Sequence, residues 1–208
     1  MRTPVKVDKL GVVLEPTPLH FESTAVLNPA CVQDGEYVHL FYRAIDSNLK
    51  SSIGYAKLKG PTTVIERWEK PIINREYDYE SFGIEDPRIV KIGETFYLTY
   101  VAHDGKNAVS AYATSLDLKK FQKKGIISPQ ITYSEAAEIF REQHLKDAYL
   151  FFADFYQEEA GKDVLVWHKD AILFPKKINK QFAMLHRILP DIQIVLFKDF
   201  KNLTRGFW

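Results

Sequence analysis

The stretch Gly83-Ile84-Glu85-Asp86-Pro87-Arg88 places two carboxylates and a guanidinium within four residues, directly before strand-like runs at 89–90 and 95–100. Such charges are costly to bury unless they pair with one another or bind a ligand. Adjacent residues of a regular strand point to opposite faces, so Glu85 and Asp86 are not expected to face one site together. We expect one carboxylate to face a ligand and the other to anchor the backbone or an arginine.

The same arrangement recurs on both sides of this stretch. In each unit a proline marks a strand entrance, and a Gly or Asn turn, an aromatic-rich strand, a polar loop and a second strand follow. The prolines are Pro29, Pro87 and Pro175. Repeats of about 40–50 residues built from several short strands are typical of propeller blades. The sequence therefore predicts an all-β fold of β-propeller type, although pseudo-repeats of strand, turn and strand occur in any β-rich protein.

The number of units is too small for a closed ring, because propellers have about four to eight blades. The last residues, 203–208, carry no obvious terminator. We therefore expect residues 1–208 to form a single, incomplete propeller domain with about three to four blades. We expect the C-terminal part of the propeller to be missing by truncation, with completion by a partner chain as the alternative.

Residues 133–147 interrupt the strand pattern. Thr132 and Glu135 have the spacing of a capping box, and Ala136, Ile139 and Phe140 follow at helical spacing. This predicts a helix near 133–147, within an insertion over 131–163 between the second and third units. We expect it to cover a sheet edge or an intersubunit face, with a lid over a site as the alternative.

The composition argues against several classes of function. A net charge of +1 does not favour nucleic acid or an anionic membrane surface, and no apolar run approaches membrane-spanning length. The single Cys31 excludes an internal disulfide, and the cytoplasm is the expected location. The six histidines lack the spacing of a metal site, and no phosphate loop or nucleophile elbow is present, so no metal or cofactor is expected. A homo-oligomer is left open.

Polar groups of successive blades should converge, because the innermost strand of each propeller blade lines the central channel. Asn28 and Asp86 are expected there, together with Lys176 or Lys169 from the third unit. A second layer is expected further out, at Arg43, Tyr100 and Arg187.

Structural roles remain open for several of these residues. Asn28 can form an Asx turn before the proline, Arg43 can form an ion pair at the rim, and Arg88 can neutralise Glu85 or Asp86.

The motifs around these residues resemble glycoside hydrolase family 130, the β-mannoside phosphorylases and related mannosidases on a five-bladed propeller. Their order and approximate spacing agree over residues 20–200. The motifs are Leu27-Asn28-Pro29-Ala30, Tyr42-Arg43-Ala44, Ser51-Ser52-Ile53-Gly54-Tyr55-Ala56, Gly83-Ile84-Glu85-Asp86-Pro87-Arg88, Ala113-Thr114-Ser115-Leu116-Asp117-Leu118, Leu173-Phe174-Pro175-Lys176-Lys177-Ile178-Asn179 and Met184-Leu185-His186-Arg187.

The resemblance implies inverting phosphorolysis of a β-mannoside to mannose 1-phosphate, with Asp86 as the catalytic acid. One protein carboxyl is enough, since phosphate replaces the water that an inverting hydrolase activates with its second carboxylate. Asn28, Arg43 and Ser52 match positions that hold the mannose. Glu85 and Arg88 are also placed among the substrate-binding residues and are expected to hold Asp86 in position.

The resemblance also implies a phosphate site, with Arg187, Lys169 and His186 as its residues. The expected partners are therefore a β-mannoside oligosaccharide and inorganic phosphate, which is a co-substrate. Two alternatives are an inverting β-mannosidase of the same family and a sugar-binding propeller without catalytic activity. Further basic residues of the phosphate site are expected beyond Trp208.

Overall fold

A computed structural model describes residues 6–208 as three consecutive antiparallel meanders, which we call the first, second and third blades. The first blade contains β1 (Ala25–Asp34), β2 (Tyr37–Ile45), β3 (Ser51–Lys59) and β4 (Thr63–Arg67). The second contains β5 (Gly83–Ile92), β6 (Thr95–His103), β7 (Ala108–Ser115) and β8 (Gln122–Ile126). The third contains β9 (Lys169–Leu173), β10 (Phe182–Ile188) and β11 (Asp191–Phe197), and short 3-10 helices lie at His20–Glu22, Asp78–Glu80 and Phe200–Asn202.

Tight turns explain the hairpins that open the first two blades. Gly35 and Gly93 adopt φ values of 61° and 62° between the first and second strands, a conformation that costs glycine little. The following strands are rich in aromatic and β-branched residues, which suit a pleated surface. A glycine at the same place, followed by a strand of the same type, therefore builds a similar hairpin twice.

The blades pack face to face. The first and second meanders are connected by a single parallel bridge between Ser51 and Gly83, and a buried cluster lies between their faces. A second cluster lies between the second and third blades. Full burial of one large apolar side chain contributes about 1.5–3 kcal/mol. The fully buried members of the first cluster include Phe41, Ile53, Tyr55, Ile84 and Leu98, and Met184 and Phe197 belong to the second.

A buried charged network ties the first blade to the 3-10 helix that precedes it. The Glu22 carboxylate, which is fully buried, accepts a hydrogen bond of 2.7 Å from the Tyr42 hydroxyl. The Arg67 guanidinium, on β4, lies 2.9 Å from the same oxygen of Glu22. Burial raises the pKa of Tyr42 well above its usual range, so the hydroxyl remains a donor.

The second blade repeats this network. Glu80 is fully buried, accepts a hydrogen bond of 2.8 Å from the Tyr100 hydroxyl and pairs with the Lys123 ammonium on β8. A glutamate, a tyrosine and a basic residue therefore recur at corresponding places in two blades. Tyr100 belongs to this network and is not in the outer layer of polar groups that was expected around the channel.

Two helices lie between the second and third blades, α1 (Tyr133–Glu142) and α2 (Asp147–Ala160). The predicted capping box is confirmed, because Thr132 and Glu135 each bond to the backbone of the other. The predicted extent to 147 is wrong: α1 ends at Glu142 and α2 was missed. The aromatic composition of α2 conceals its helical period. Among residues 6–208, no helix is both long and apolar enough to cross a bilayer.

The third blade shows that its predicted alignment on Pro175 was wrong. Its first strand is β9, and Pro175 lies after that strand, in the connection to β10. Lys176 is exposed in the same connection and does not lie on the first strand. The residue that corresponds to Asn28 and Asp86 is Asp170, which is followed by an alanine instead of a proline.

Candidate active site

A left-handed residue interrupts the first strand of each blade. Asn28, Asp86 and Asp170 have φ values of 47°, 49° and 52°. Each lies where the register with the second strand shifts, so each is part of a β-bulge. Asn and Asp tolerate this conformation better than most residues, because their short polar side chains bond locally. Three blades therefore turn a polar side chain out of the sheet by the same backbone device.

The bulges of the first two blades meet directly. The Asn28 amide nitrogen Nδ2 donates a hydrogen bond of 2.6 Å to Oδ1 of Asp86. The other carboxylate oxygen, Oδ2, takes part in none of the hydrogen bonds or ion pairs among residues 6–208. Asn28 thus holds one oxygen of Asp86 and leaves the second free to act.

Arg43 connects the two carboxylates of the 85–86 pair. Its Nη2 lies 2.7 Å from Oε1 of Glu85, its Nη1 lies 3.5 Å from Oδ1 of Asp86, and its Nε donates to the Ser51 hydroxyl at 2.9 Å. The expectation that Glu85 and Asp86 face apart was wrong, because the bulge at Asp86 breaks the alternation of the strand. Glu85 anchors an arginine, as expected for one of the two carboxylates.

A second group of charges surrounds Asp170. Its Oδ2 lies 2.9 Å from Nε of Arg187, and its Oδ1 lies 3.5 Å from Nη2 of Arg88. The alternative in which Arg88 neutralises Glu85 or Asp86 was wrong, since its ionic contact crosses to the third blade. Arg88 is two residues from Asp86 along β5, so one strand carries the carboxylate that Asn28 holds and a cation of this second group.

Aromatic side chains border both groups. Trp167 lies under the Lys169 ammonium, which is 4.8 Å from the ring centroid. His103 packs edge-on against Trp167 and Phe82, and burial lowers its pKa, which favours the neutral ring. Phe82 is partly exposed. Exposed aromatic faces of this kind can stack on a sugar ring.

Two predicted residues lie apart from these charges. Ser52 is buried, and its neighbour Ser51 is the serine that binds Arg43. His186 is buried, and its ring stacks on His168 with centroids 4.6 Å apart. Burial lowers the pKa of His186 to about 4, so this ring is neutral near pH 7. Adjacent strand residues point to opposite faces, so His186 faces away from the side occupied by Arg187.

Sequence reasoning missed Asp170 and Ser51. The signal for Asp170 was present, since Lys169-Asp170 precedes an apolar strand just as Glu85-Asp86 does. Alignment on proline concealed it. Within the described range 6–208, no three His, Cys, Asp or Glu side chains are grouped for a metal ion.

The family of the chain follows from comparison with known proteins. A family model described as beta-1,4-mannooligosaccharide phosphorylase matches residues 12–201. The chain belongs to glycoside hydrolase family 130. The match spans all three blades, so the predicted recognition is confirmed.

Two curated relatives of this family 130 chain are named as phosphorylases of mannosides. A 1,2-β-oligomannan phosphorylase of Thermoanaerobacter sp. (strain X514) is 32% identical over 193 residues, which is 88% of this chain and 52% of the relative. A β-1,2-mannobiose phosphorylase of the same strain is 28% identical, covering 88% of this chain and 54% of that protein. The chain therefore spans about half the length of the curated relatives it matches.

Solved structures show the fold. The β-1,2-mannobiose phosphorylase from Listeria innocua, in complex with β-1,2-mannobiose, superposes with a TM-score of 0.64 at 19% identity, covering 90% of this chain and 61% of that chain. A glycoside hydrolase from Parabacteroides distasonis superposes with a TM-score of 0.67 at 22% identity, covering 90% and 55%. The fold is of the five-bladed β-propeller type, as predicted, and the described residues 6–208 form three blades.

Proposed function

We propose that this protein carries part of the active site for inverting phosphorolysis of β-mannosides. The observation that carries the proposal is Asp86, which is held by Asn28 and Arg43 with one oxygen free, on the strand that also carries Arg88 of the cationic group. An acid next to an anion-binding group is what phosphorolysis needs. The curated relatives, which are mannoside phosphorylases, support the choice of sugar.

The reaction breaks one bond and forms another. Asp86 gives its proton to the glycosidic oxygen, directly or through a hydroxyl of the bound mannose, as the bond between that oxygen and the anomeric carbon breaks. A phosphate oxygen attacks the anomeric carbon from the opposite face, which inverts its configuration. The products are α-mannose 1-phosphate and the sugar that carried the leaving oxygen.

Sugar binding is assigned to the charged group around Arg43. Asn28 and Arg43 present donors beside Asp86, and Ser52 lies next to the serine that fixes the guanidinium. Glu85 stabilises the cation of Arg43 in a place where it is largely buried. Glu85 thus supports Asp86 indirectly, through an arginine that contacts both.

Phosphate binding is assigned to the basic side chains of the third blade. Arg187 and Lys169 are opposite one another in the register of β10 and β9, which brings two positive charges together. Their partly exposed side chains leave room for an anion. The direct role predicted for His186 stays a prediction, because this ring is stacked in the core.

We also infer that the domain is completed by further blades. One face of the third blade exposes Ile192, Ile194 and Leu196, at 69%, 57% and 41%, on alternate positions of β11. A row of apolar residues on one sheet face is typical of a surface that another layer covers. The proposed domain, 1–208 with a helical insertion over 131–163, is therefore part of a larger propeller. The cytoplasmic location and the expected absence of a cofactor, nucleic acid and membrane stay predictions.

The test supplies the purified protein with β-1,2- or β-1,4-mannobiose, with and without inorganic phosphate. Formation of α-mannose 1-phosphate only when phosphate is present, identified by ³¹P and ¹H NMR, is the expected result. Free mannose in equal amounts with and without phosphate would replace the proposal with a β-mannosidase. Binding of the sugar without turnover would leave a sugar-binding propeller. Asp86→Asn is the matched control, since it keeps the shape of the side chain.

A further inference from the structure

We propose that Asp170 is a positioning residue that holds Arg88 and Arg187 together as one phosphate-binding pair. The inference rests on the proposed use of phosphate. In it, Arg88 binds phosphate instead of the sugar, and Asp170, which lies outside the family motifs, has a role.

The contacts of Asp170 reach two blades. Its Oδ2 is 2.9 Å from Nε of Arg187 on the third blade, and its Oδ1 is 3.5 Å from Nη2 of Arg88 on the second. Two guanidinium groups repel each other unless an anion lies between them. The Asp170 carboxylate therefore offsets this repulsion and fixes both side chains on the same side of the blade boundary.

The geometry leaves donors available for a ligand. Arg187 contacts Asp170 through Nε, and its two terminal nitrogens make no hydrogen bond among residues 6–208. Arg88, Asp170 and Arg187 are each about one-third exposed, so a ligand can reach them. With Lys169 opposite Arg187, three positive charges surround one negative charge, and the net charge suits a phosphate dianion.

The backbone makes Asp170 a fixed point. It lies in the left-handed bulge of β9, at the place where the first two blades carry Asn28 and Asp86. The side chain of a bulge residue leaves the sheet in a defined direction. Asp170 is thus placed by the strand, while the long arginine side chains depend on it for their positions.

Another possible role of Asp170 predicts the opposite effect on phosphate binding. If Asp170 were only a negative charge that competes with phosphate for the arginines, its removal would strengthen phosphate binding. If it positions them, its removal weakens binding. Asp170→Asn separates the two, because asparagine keeps the size of the side chain and tolerates the positive φ, so the bulge is preserved.

The experiment measures binding of inorganic phosphate to the purified protein by calorimetry, and the KM for phosphate and for β-mannobiose by mannose 1-phosphate formation. In Asp170→Asn we expect the Kd and KM for phosphate to rise about tenfold or more, the loss expected for a charged hydrogen bond, with little change in the KM for the sugar. The matched control is Asp34→Asn. Asp34, on β1, pairs with Lys91, on β5, at a distance of 3.7 Å. It lies about 20 Å along β1 from Asn28, so its charge can be removed without touching the site.

The outcomes separate this inference from the proposed function. Unchanged or tighter phosphate binding in Asp170→Asn, or no phosphate binding by the unmodified protein, would overturn the role of Asp170. An equal rise in both KM values would also contradict it. Phosphate binding that depends on Asp170 without formation of mannose 1-phosphate would support the inference while the proposed reaction fails.

Discussion

The pairing of Arg43 with Glu85 makes a prediction that needs no enzyme assay. The Glu85 side chain is 8% exposed, and its carboxylate contacts the Arg43 guanidinium at 2.7 Å. Among residues 6–208 it makes no other ion pair. Arg43→Met therefore leaves a buried carboxylate without a partner, and loss of one member of a buried pair costs about 3–5 kcal/mol. Since the Arg43 side chain is 19% exposed and water can reach the pair, we expect a value near the lower limit, about 3 kcal/mol.

The assay is urea unfolding, monitored by tryptophan fluorescence and circular dichroism. For a chain of this size the loss corresponds to a fall in Tm of about 6–12 °C. A second substitution tests this reasoning. Glu85→Gln removes the carboxylate charge that has lost its partner, so we expect the double variant Arg43→Met/Glu85→Gln to be more stable than Arg43→Met. A double variant as unstable as the sum of the single losses would refute the pairing. The exposed pair of Glu36 and Lys59, at 3.6 Å, is the control, and its removal should leave the urea midpoint unchanged.

Three further predictions concern the acid, the repeated network and the stacked histidines. Asp86→Asn should lower mannose 1-phosphate formation by about 100-fold or more, because the proton donor is lost, with an unchanged urea midpoint; retention of most of the rate would exclude Asp86 as the acid. Glu80→Gln should cost about 3 kcal/mol in urea unfolding, because the largely buried Lys123 ammonium loses its contact with Glu80 and keeps only the exposed carboxylate of Glu76 at 3.8 Å; a loss below about 1 kcal/mol would contradict the network. Burial lowers the pKa of His168 and His186, so unfolding takes up protons below the unfolded pKa near 6.5, and stability should fall as the pH drops from there towards 4, by up to about 1.4 kcal/mol per pH unit and histidine. His186→Phe keeps an aromatic ring and should flatten this fall; equal slopes in both proteins would count against buried neutral histidines.

The repeat of the first two blades was readable because the same residue types recur at one interval. Asn28 and Asp86 are 58 residues apart, and Glu22 and Glu80 share that interval, as do Tyr42 and Tyr100. The paired prolines gave the alignment, and the positions of the polar groups followed from it. The burial of Glu22 and Glu80 was not predicted, because a single glutamate before a strand is usually exposed to solvent.

The third blade was misread for a physical reason. A bulge needs a residue that accepts a positive φ, and Asp170 meets this need without a following proline. A proline follows the bulge residue in the first two blades but is not required for the bulge. The same limit applies to Glu85 and Asp86. Strand alternation predicts that they point to opposite faces, and only the bulge brings both carboxylates to the Arg43 guanidinium. No sequence signal predicted that bulge.

Helix α2 was missed because its aromatic residues match a strand pattern. Tyr156 stacks on Tyr133 of α1 with centroids 5.1 Å apart, so tertiary packing decides the conformation of this segment. The start of α1 was predicted correctly because its capping box is a local signal. Propensity and spacing identify such local features, whereas packing between distant segments does not appear in them.

The left-handed bulges restrict how this surface can change during evolution. A residue at φ near 50° must be Asn, Asp, Gly or a strained alternative, so each of the three positions can exchange an amide for a carboxylate at little backbone cost. An amide at 28 and carboxylates at 86 and 170 are one combination of a small set. A change between Asn and Asp alters the charge at the bulge by one unit and keeps a residue that tolerates the positive φ. Single exchanges at these three positions are therefore the changes of charge on this surface that disturb the backbone least, whatever they do to activity.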